Sequence, residues 1–570
     1  MTTTAQSQRP GPLTARPGGP SADGSPPANA PLPTPPPAPI PLERSVACIA
    51  ASVLLWLTQG LGMNLVAVNI YQIQGTLGAT LTETSWLVAA YMAPNVSLTI
   101  LLMKIRTQFG LRRFAEISIG VFVAVSLLHL AVRDLESAVT IRFVAGMAAA
   151  PMSTLGFLYM LDAFPPARKM TWGLCLALTC STATPTVARM ISPAILDMGQ
   201  MQGLYTLEIG LSLMALATVF LLPLTPVPHA KVIHRLDFAS YPLVAVGFGA
   251  LAVVLVLGRF YWWFEAPWIG VLLAVAVLSI ALAAAIELNR ETPLINIRWL
   301  MSPEIVRFAV ILVLLRVVLA EQTSGAYGLF QAIGLLNEHS VLLYAVILLA
   351  SMAGGVFCAM LLTSERVSGL HCLALACIAA GAYLDGHATN LTRPADMYVS
   401  QALIAFGGAL FLPPALLVAL TKTLRQGPTY ITSFVVVFLF TQSIGGLLGS
   451  AVFGTFVTLR EKLHSNYLVE HARLTDPLVA ARVSQLSAAY GRALADKRLL
   501  DAEGLALLSQ QVTREATILA YNDAFLAVFA VAAVTLTGFV LKAGYDRVAP
   551  RIALLLAHGG ADRAADGCQR

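Results

Sequence analysis

The stretch ACIAASVLLWLTQGLGMNLVAVNIYQIQGTLGATLTETSWLVAAYMAPNVSLTILLMKIRTQFGLRR, residues 47–113, decides the fold class. From Ala47 to Thr82 it carries no charged residue, and after Glu83 none returns until Lys104. A helix needs about 20 mostly apolar residues to cross about 30 Å of hydrocarbon. Two such runs fit here, near 47–71 and 83–104. Lipid offers no partner to backbone amides, so runs of this length span as helices. The cluster Lys104, Arg106, Arg112 and Arg113 then marks the water on one side.

The pattern repeats outward along the chain. Further runs lie near 114–132, 138–161, 170–196, 202–224, 238–259, 266–287, 306–333, 340–363, 368–386, 396–421, 428–457 and 521–542, which makes fourteen spans. Lys and Arg fall in alternate gaps: Arg168 and Lys169, Lys231 and Arg235, Arg290 and Arg298, Arg366, Lys422 and Arg425, then Lys542, Arg547 and Arg551. The other gaps are nearly free of them, with Arg133, Arg259 and Arg393 as exceptions. Basic residues collect on the cytoplasmic side. An even number of spans then puts both termini of a multi-pass membrane protein in the cytoplasm. Tyr261, Trp262, Trp263 and Trp268, between spans seven and eight, read as an outer interfacial anchor.

Composition agrees: 57% of residues are apolar, 12% are charged, and mean hydropathy is +0.74. A soluble chain carries about 25% charged residues. The net charge of +6 is spread over short loops, which argues against a nucleic-acid partner. The seven cysteines show no ligand spacing and read as packing residues. Residues 1–45 form a Pro-rich tail that cannot bury a core and is expected to be disordered. No phosphate-binding G-x-x-x-x-G-K-[ST], H-E-x-x-H or paired C-x-x-C occurs, so no cofactor, metal or enzymatic chemistry is expected. A chain that lies almost wholly in the bilayer is expected to move a small-molecule substrate across it.

One long segment outside the membrane, 458–520, has apolar positions at helical spacing and predicts two or three helices. It reads as a solvated cap or as a docking surface for a periplasmic partner.

Ionisable groups inside spans are costly and mark function. Arg142 lies in span four, Arg189 in span five and Glu208 in span six; Arg316 and Glu321 share span nine. Arg316 and Glu321 stand about 140° apart around a helix, so each needs a partner elsewhere. Glu321, Glu208 and Arg142 are the candidates for proton coupling. Arg189 and Arg316 are candidates for the substrate cavity, or for structural ion pairs. Three arginines against two glutamates favour organic anions over lipophilic cations as substrates. Gln59, Asn64, Asn69, Tyr91, Asn95 and Gln442 either line the same cavity or join neighbouring helices. Small residues in GGLLGSAVFG, 445–454, predict close helix approach in span thirteen.

Several stretches carry a family resemblance: NLVAVNIYQIQGTLGATLTETSWLVAAY in the first two spans, IRFVAGMAAAP at 141–151, FPPARK at 164–169, ETPLINIRWL at 291–300, and AYNDAF before the last span. With them the chain resembles the major facilitator superfamily and, more narrowly, the fourteen-span drug:proton antiporters of the EmrB/QacA type. The resemblance covers roughly residues 47–545. It implies an all-α major facilitator fold of 6+2+6 spans: a six-helix bundle over 46–225, a two-helix insert with its linkers over 226–290, a second bundle over 291–545, and a tail over 546–570. It implies drug efflux by proton antiport, with a periplasmic membrane-fusion adaptor and an outer-membrane channel as partners. It also gives Gly110, Arg112 and Arg113 as the remnant of a conformational-switch loop whose first Gly and Asp are replaced by Met103 and Thr107. Where the family carries an acid in span one, this chain has Gly62; where it carries a Gly-Pro motif in span five, it has Ala188 and Arg189. Those departures leave open a non-coupled uniporter or importer, or a scaffold or sensor that transports nothing.

Overall fold

The computed structural model describes residues 40–225, 231–290, 293–427, 430–493 and 496–567. The Pro-rich tail through residue 39 lies outside the described residues. All regular structure among them is helical. Thirteen helices are long and apolar enough to cross a membrane, from Leu42–Val68 to Lys497–Tyr545. The remaining span is the ninth, over 303–332, whose first helix Pro303–Ala320 carries Glu304, Arg307 and Arg316. It is interrupted by a π-helical turn at Glu321–Gly325 before the helix resumes at Ala326–Ala332. The sequence pattern predicts one unbroken helix there; the π turn is a local feature that periodicity does not register.

Other boundaries also differ. Helical backbone runs unbroken over Leu174–Leu221, where two separate spans are predicted. The chain nevertheless reverses: a Cβ on Gly203 would lie 2.7 Å from the carbonyl of Ile195, eight residues back. In a straight helix those residues are about 12 Å apart. At the other end of the chain, spans thirteen and fourteen outrun the predicted 428–457 and 521–542. Their helices are Ile431–His471 and Lys497–Gly567. With Pro477–Ala488 between them, they make the segment over 458–520 helical.

Spans one to six pack together: one against four and against the helix that carries five and six, two against four, and three against four and that same helix; Gly60 meets Thr184 of span five and Gly62 meets Glu208 of span six. Spans nine to fourteen pack likewise, nine against thirteen, ten and eleven against twelve, and eleven and thirteen against fourteen. The two bundles meet where span two packs on thirteen and where the helix of spans five and six packs on ten and twelve, Gly355 of span ten lying against Thr179 of span five. Small residues set the spacing. A Cβ on Gly146 would stand 2.1 Å from the Tyr91 carbonyl, so spans two and four touch backbone to backbone there. Gly449, from the small-residue run, does the same on the Arg316 carbonyl at 2.7 Å.

The insert, spans seven and eight, sits against span two and also touches thirteen. Buried charges fix it. Lys104 Nζ donates to both oxygens of Asp237 (2.9 and 3.0 Å), and Arg290 bridges Asp237 and Glu287 (2.7 Å each). Gln108 accepts from the Ile233 amide (2.8 Å). The aromatic cluster ties the insert to its neighbours. Trp86 stacks on Trp268 and donates to the Tyr261 hydroxyl (3.3 Å), while Trp263 donates to Thr455 in span thirteen (3.0 Å). The insert therefore touches both bundles at that end.

Candidate functional site

A cavity of about 790 Å³ lies between the bundles. That is within the size range of small-molecule pockets, about 300–1,000 Å³. Both bundles and the insert line it. Its walls run from Arg106 and Leu424, near the basic loops, to Tyr71 and Gln331 at the opposite end. Most of the lining is apolar, with Trp56, Phe157, Phe434 and Phe438 among it.

Of the cavity candidates, Gln59, Asn64, Asn95, Arg189, Arg316 and Gln442 line this space. Asn69 and Tyr91 do not. Asn69 is fully buried, accepts from the Ser192 hydroxyl and donates to the Leu65 carbonyl (2.8 Å), so it joins spans one and five. Tyr91 is buried beneath the Arg142 guanidinium, 4.2 Å from its ring centroid. Of the two alternatives that polarity in an apolar run leaves open, cavity face or helix seam, both residues take the seam.

Four arginines line the cavity: Arg106, Arg189, Arg259 and Arg316. No carboxylate does, and none of the four forms an ion pair among the described residues. Arg189 Nη2 donates to the Thr323 carbonyl (2.5 Å), with its guanidinium 4.3 Å from the Tyr327 ring centroid. Arg316 Nη2 donates to Gln442. Arg259 follows span seven and comes close to Gly454, where a Cβ would lie 2.6 Å from its Nη1. Arg106 and Arg259 escape a sequence reading that counts them as loop charges. Arg259 left one signal, as an exception in a gap otherwise nearly free of basic residues.

The proton-coupling candidates lie off the cavity. Arg142 is buried (2% exposed) and does not snorkel outward; its Nη1 donates to the Gly62 carbonyl (2.6 Å). Glu208 stands beside the same glycine. A Cβ on Gly62 would lie 3.1 Å from Glu208 Oε1. Span one thus offers bare backbone where the resemblance leads one to expect an acid, and a carboxylate from span six occupies the adjoining space. Glu321 is fully buried and pairs with neither Arg189 nor Arg316. Its Oε1 accepts from Gln401 Nε2 (2.8 Å), which also donates to Asp385 Oδ2 (2.7 Å). Asp385 and Gln401 escape sequence reasoning, because Asp385 ends span eleven and reads as an interfacial residue.

The loop remnant sits between spans two and three. Gly110 has φ +83°, which a side chain would strain. Arg112 and Arg113 are exposed, and Arg112 pairs with Glu116 (2.8 Å).

Two side-chain hydrogen bonds join the bundles among the described residues, both near the π turn. One is Arg189 to Thr323; the other runs from the Tyr327 hydroxyl to the Val68 carbonyl (3.1 Å).

No family model matches the chain. It is 23% identical over 482 residues to the multidrug export protein EmrB of Escherichia coli (strain K12), covering 82% of this chain and 89% of that protein. It is 25% identical over 244 residues to EmrB of Haemophilus influenzae, where the match covers 42% of this chain and 46% of that protein. Among solved structures, the human organic anion transporter MFSD10 (TETRAN) superposes with a TM-score of 0.51 at 11% identity, covering 87% of this chain and all (100%) of that one. At that identity the likeness speaks for the fold alone. The chain has the major facilitator fold, and its sequence is similar to that of the export protein EmrB of Escherichia coli along most of its length.

Proposed function

We propose that this protein is a secondary exporter of small amphipathic organic compounds, with a preference for anions, driven by proton antiport across a bacterial inner membrane. The observation that carries the substrate class is the cavity lined, among the described residues, by four arginines and no carboxylate. Unpaired cations in a low-dielectric site are costly, and an anionic ligand offsets that cost. The apolar walls take the rest of such a molecule. The similarity to EmrB supports multidrug export.

The chain works as a rocking pair, with the insert and the first bundle turning against the second around the cavity. The buried charges that hold the insert to span two support that grouping. Basic loops face the cytoplasm with both termini, and the helices over 458–520 face the periplasm, where an adaptor leading to an outer-membrane channel would dock. Glu321, Glu208 and Arg142 are the groups through which protons act.

The test is flux in reconstituted vesicles under an imposed pH gradient. The probes are 1-naphthoate, its neutral amide 1-naphthamide, and tetraphenylphosphonium. The expected result is gradient-driven movement of naphthoate in preference to the other two. A preference for the phosphonium cation sinks the anion reading, and movement of none of the three sinks export of this class.

A further inference from the structure

We infer that Glu321 and Asp385 form one proton-binding pair that governs, through the π turn Glu321–Gly325, whether the two bundles are latched together. This deepens the proton-antiport reading and assigns it a place in the second bundle.

The pair is a built site. Glu321 and Gln401 are fully buried, and Asp385 and Ser400 are 2% exposed. Gln401 has two amide hydrogens and gives one to each carboxylate, at 2.8 and 2.7 Å. Ser400 donates to the other oxygen of Asp385. Glu321 Oε2 and Gln401 Oε1 remain without a hydrogen-bond partner. Both amide hydrogens of Gln401 and the hydroxyl of Ser400 are used, and two buried acceptor oxygens are left over.

Among the described residues no cation pairs with either acid. The elements packed on the turn bring Ser450 and Phe453 from span thirteen and Tyr521 and Phe525 from span fourteen. Within span nine Arg316 turns away to Gln442. Arg189 meets the turn at Thr323, two residues beyond Glu321. Two carboxylates sharing a buried site without a counter-charge do not both ionise. One proton between them is the ligand this arrangement takes.

The turn carries the effect outward. Its first residue enters the acid pair, and its third, Thr323, accepts from Arg189 of the first bundle. Tyr327, just beyond, holds the Val68 carbonyl. Thr323, Ser324 and Tyr327 line the substrate cavity, while Glu321 and Asp385 do not. Proton and substrate thus act on opposite faces of one short segment. With a proton bound, the carboxylates stay together around Gln401 and the latch closes. With the proton lost, two like charges repel, the turn shifts, and Thr323 leaves Arg189. One proton then enters as one substrate leaves, without an acid in span one.

The test follows the latch directly. Thr76→Cys and Glu338→Cys, both exposed and placed after spans one and nine, carry spin labels for a distance measurement in the full chain. In otherwise native protein the latched-to-unlatched ratio falls as pH rises, by about tenfold per pH unit across the titration of one proton. With Glu321→Gln and Asp385→Asn together, the ratio becomes flat with pH and stays latched. Tyr327→Phe lowers the ratio but keeps the pH dependence. A ratio flat with pH in the native chain overturns the inference, as does a double variant that titrates like the native chain. Should the double variant fail to fold, the native titration and Asp385→Asn alone decide. The measurement uses no substrate, so it stands whether or not the export assay succeeds, and a flat ratio in a protein that exports overturns the pair alone.

Discussion

Gly355 sits on span ten where it meets span five across the bundle seam. A Cβ there would lie 2.2 Å from Thr179 Oγ1, 2.9 Å from its Cβ and 3.0 Å from its Cγ2. Gly355→Ala therefore forces the seam apart by about 1 Å, and overpacking of this kind costs about 1–3 kcal/mol. The strain falls between two bodies that can separate, so it loads the arrangement of the bundles more than the fold of either. A bias of about 1–3 kcal/mol shifts such an equilibrium about 5–150-fold. Thr179 uses its hydroxyl only within its own helix, on the Cys175 carbonyl at 2.8 Å, so Thr179→Ala alone is expected to be near neutral. Combined with Gly355→Ala it removes Oγ1 and Cγ2 and restores part of the loss, with a coupling of at least about 1 kcal/mol. The assays are the thermal midpoint of the purified protein and the rate of gradient-driven flux. Gly369→Ala, which meets nothing within 4 Å, is the control. The reasoning is refuted if Gly355→Ala behaves like Gly369→Ala, or if its effect simply adds to that of Thr179→Ala.

Three further expectations concern buried charge. Gly62→Asp places a second carboxylate against Glu208, whose Oε1 lies 3.1 Å from the new Cβ, and is expected to destabilise by about 1–3 kcal/mol. Glu208→Ala in the same chain should recover most of that in a thermal melt; no recovery would show that the two sites do not meet. Lys104→Met leaves Asp237 with Arg290 alone and should cost about 3 kcal/mol in chemical denaturation, less where Arg290 compensates. Adding Asp237→Asn should return part of it. Arg316→Gln takes one cation from the cavity and should raise the KM for naphthoate about tenfold or more, the worth of one charge-assisted hydrogen bond. The KM for naphthamide should hardly change, and a parallel rise for both probes would argue against a charge contact.

Thirteen of the fourteen expected spans are long and apolar enough to cross, and they were legible because lipid imposes one rule on every crossing segment, whatever its partners. Close approach at the small-residue run of span thirteen was legible for a similar reason: a missing side chain acts locally. Partnerships between distant residues were not legible. Glu321 meets Gln401 eighty residues on, and Gly62 lies beside Glu208. No spacing rule connects such pairs, because the register of one helix against another fixes them. Arg106 and Arg259 show a second blind spot. Arginine stems are long enough to place a charge in lipid headgroups, loop water or a cavity, and the apolar pattern around them is the same in each case. Asn69 and Tyr91 are spent on a neighbouring helix, the alternative to the cavity that polarity alone left open.

Span thirteen has the proportions of a lever. Its helix continues from the predicted end of the span near 457 to His471, about 20 Å further at about 1.5 Å per residue. Arg460 and His464 both hold Asp523 of span fourteen at 2.6 Å, which stiffens the extension. Measured from mid-membrane, the tip stands about 35 Å out, so each degree of bundle tilt sweeps it sideways by about 0.6 Å. On the proposed rocking mechanism, a protein seated on that tip would receive an enlarged mechanical report of each cycle without touching the cavity.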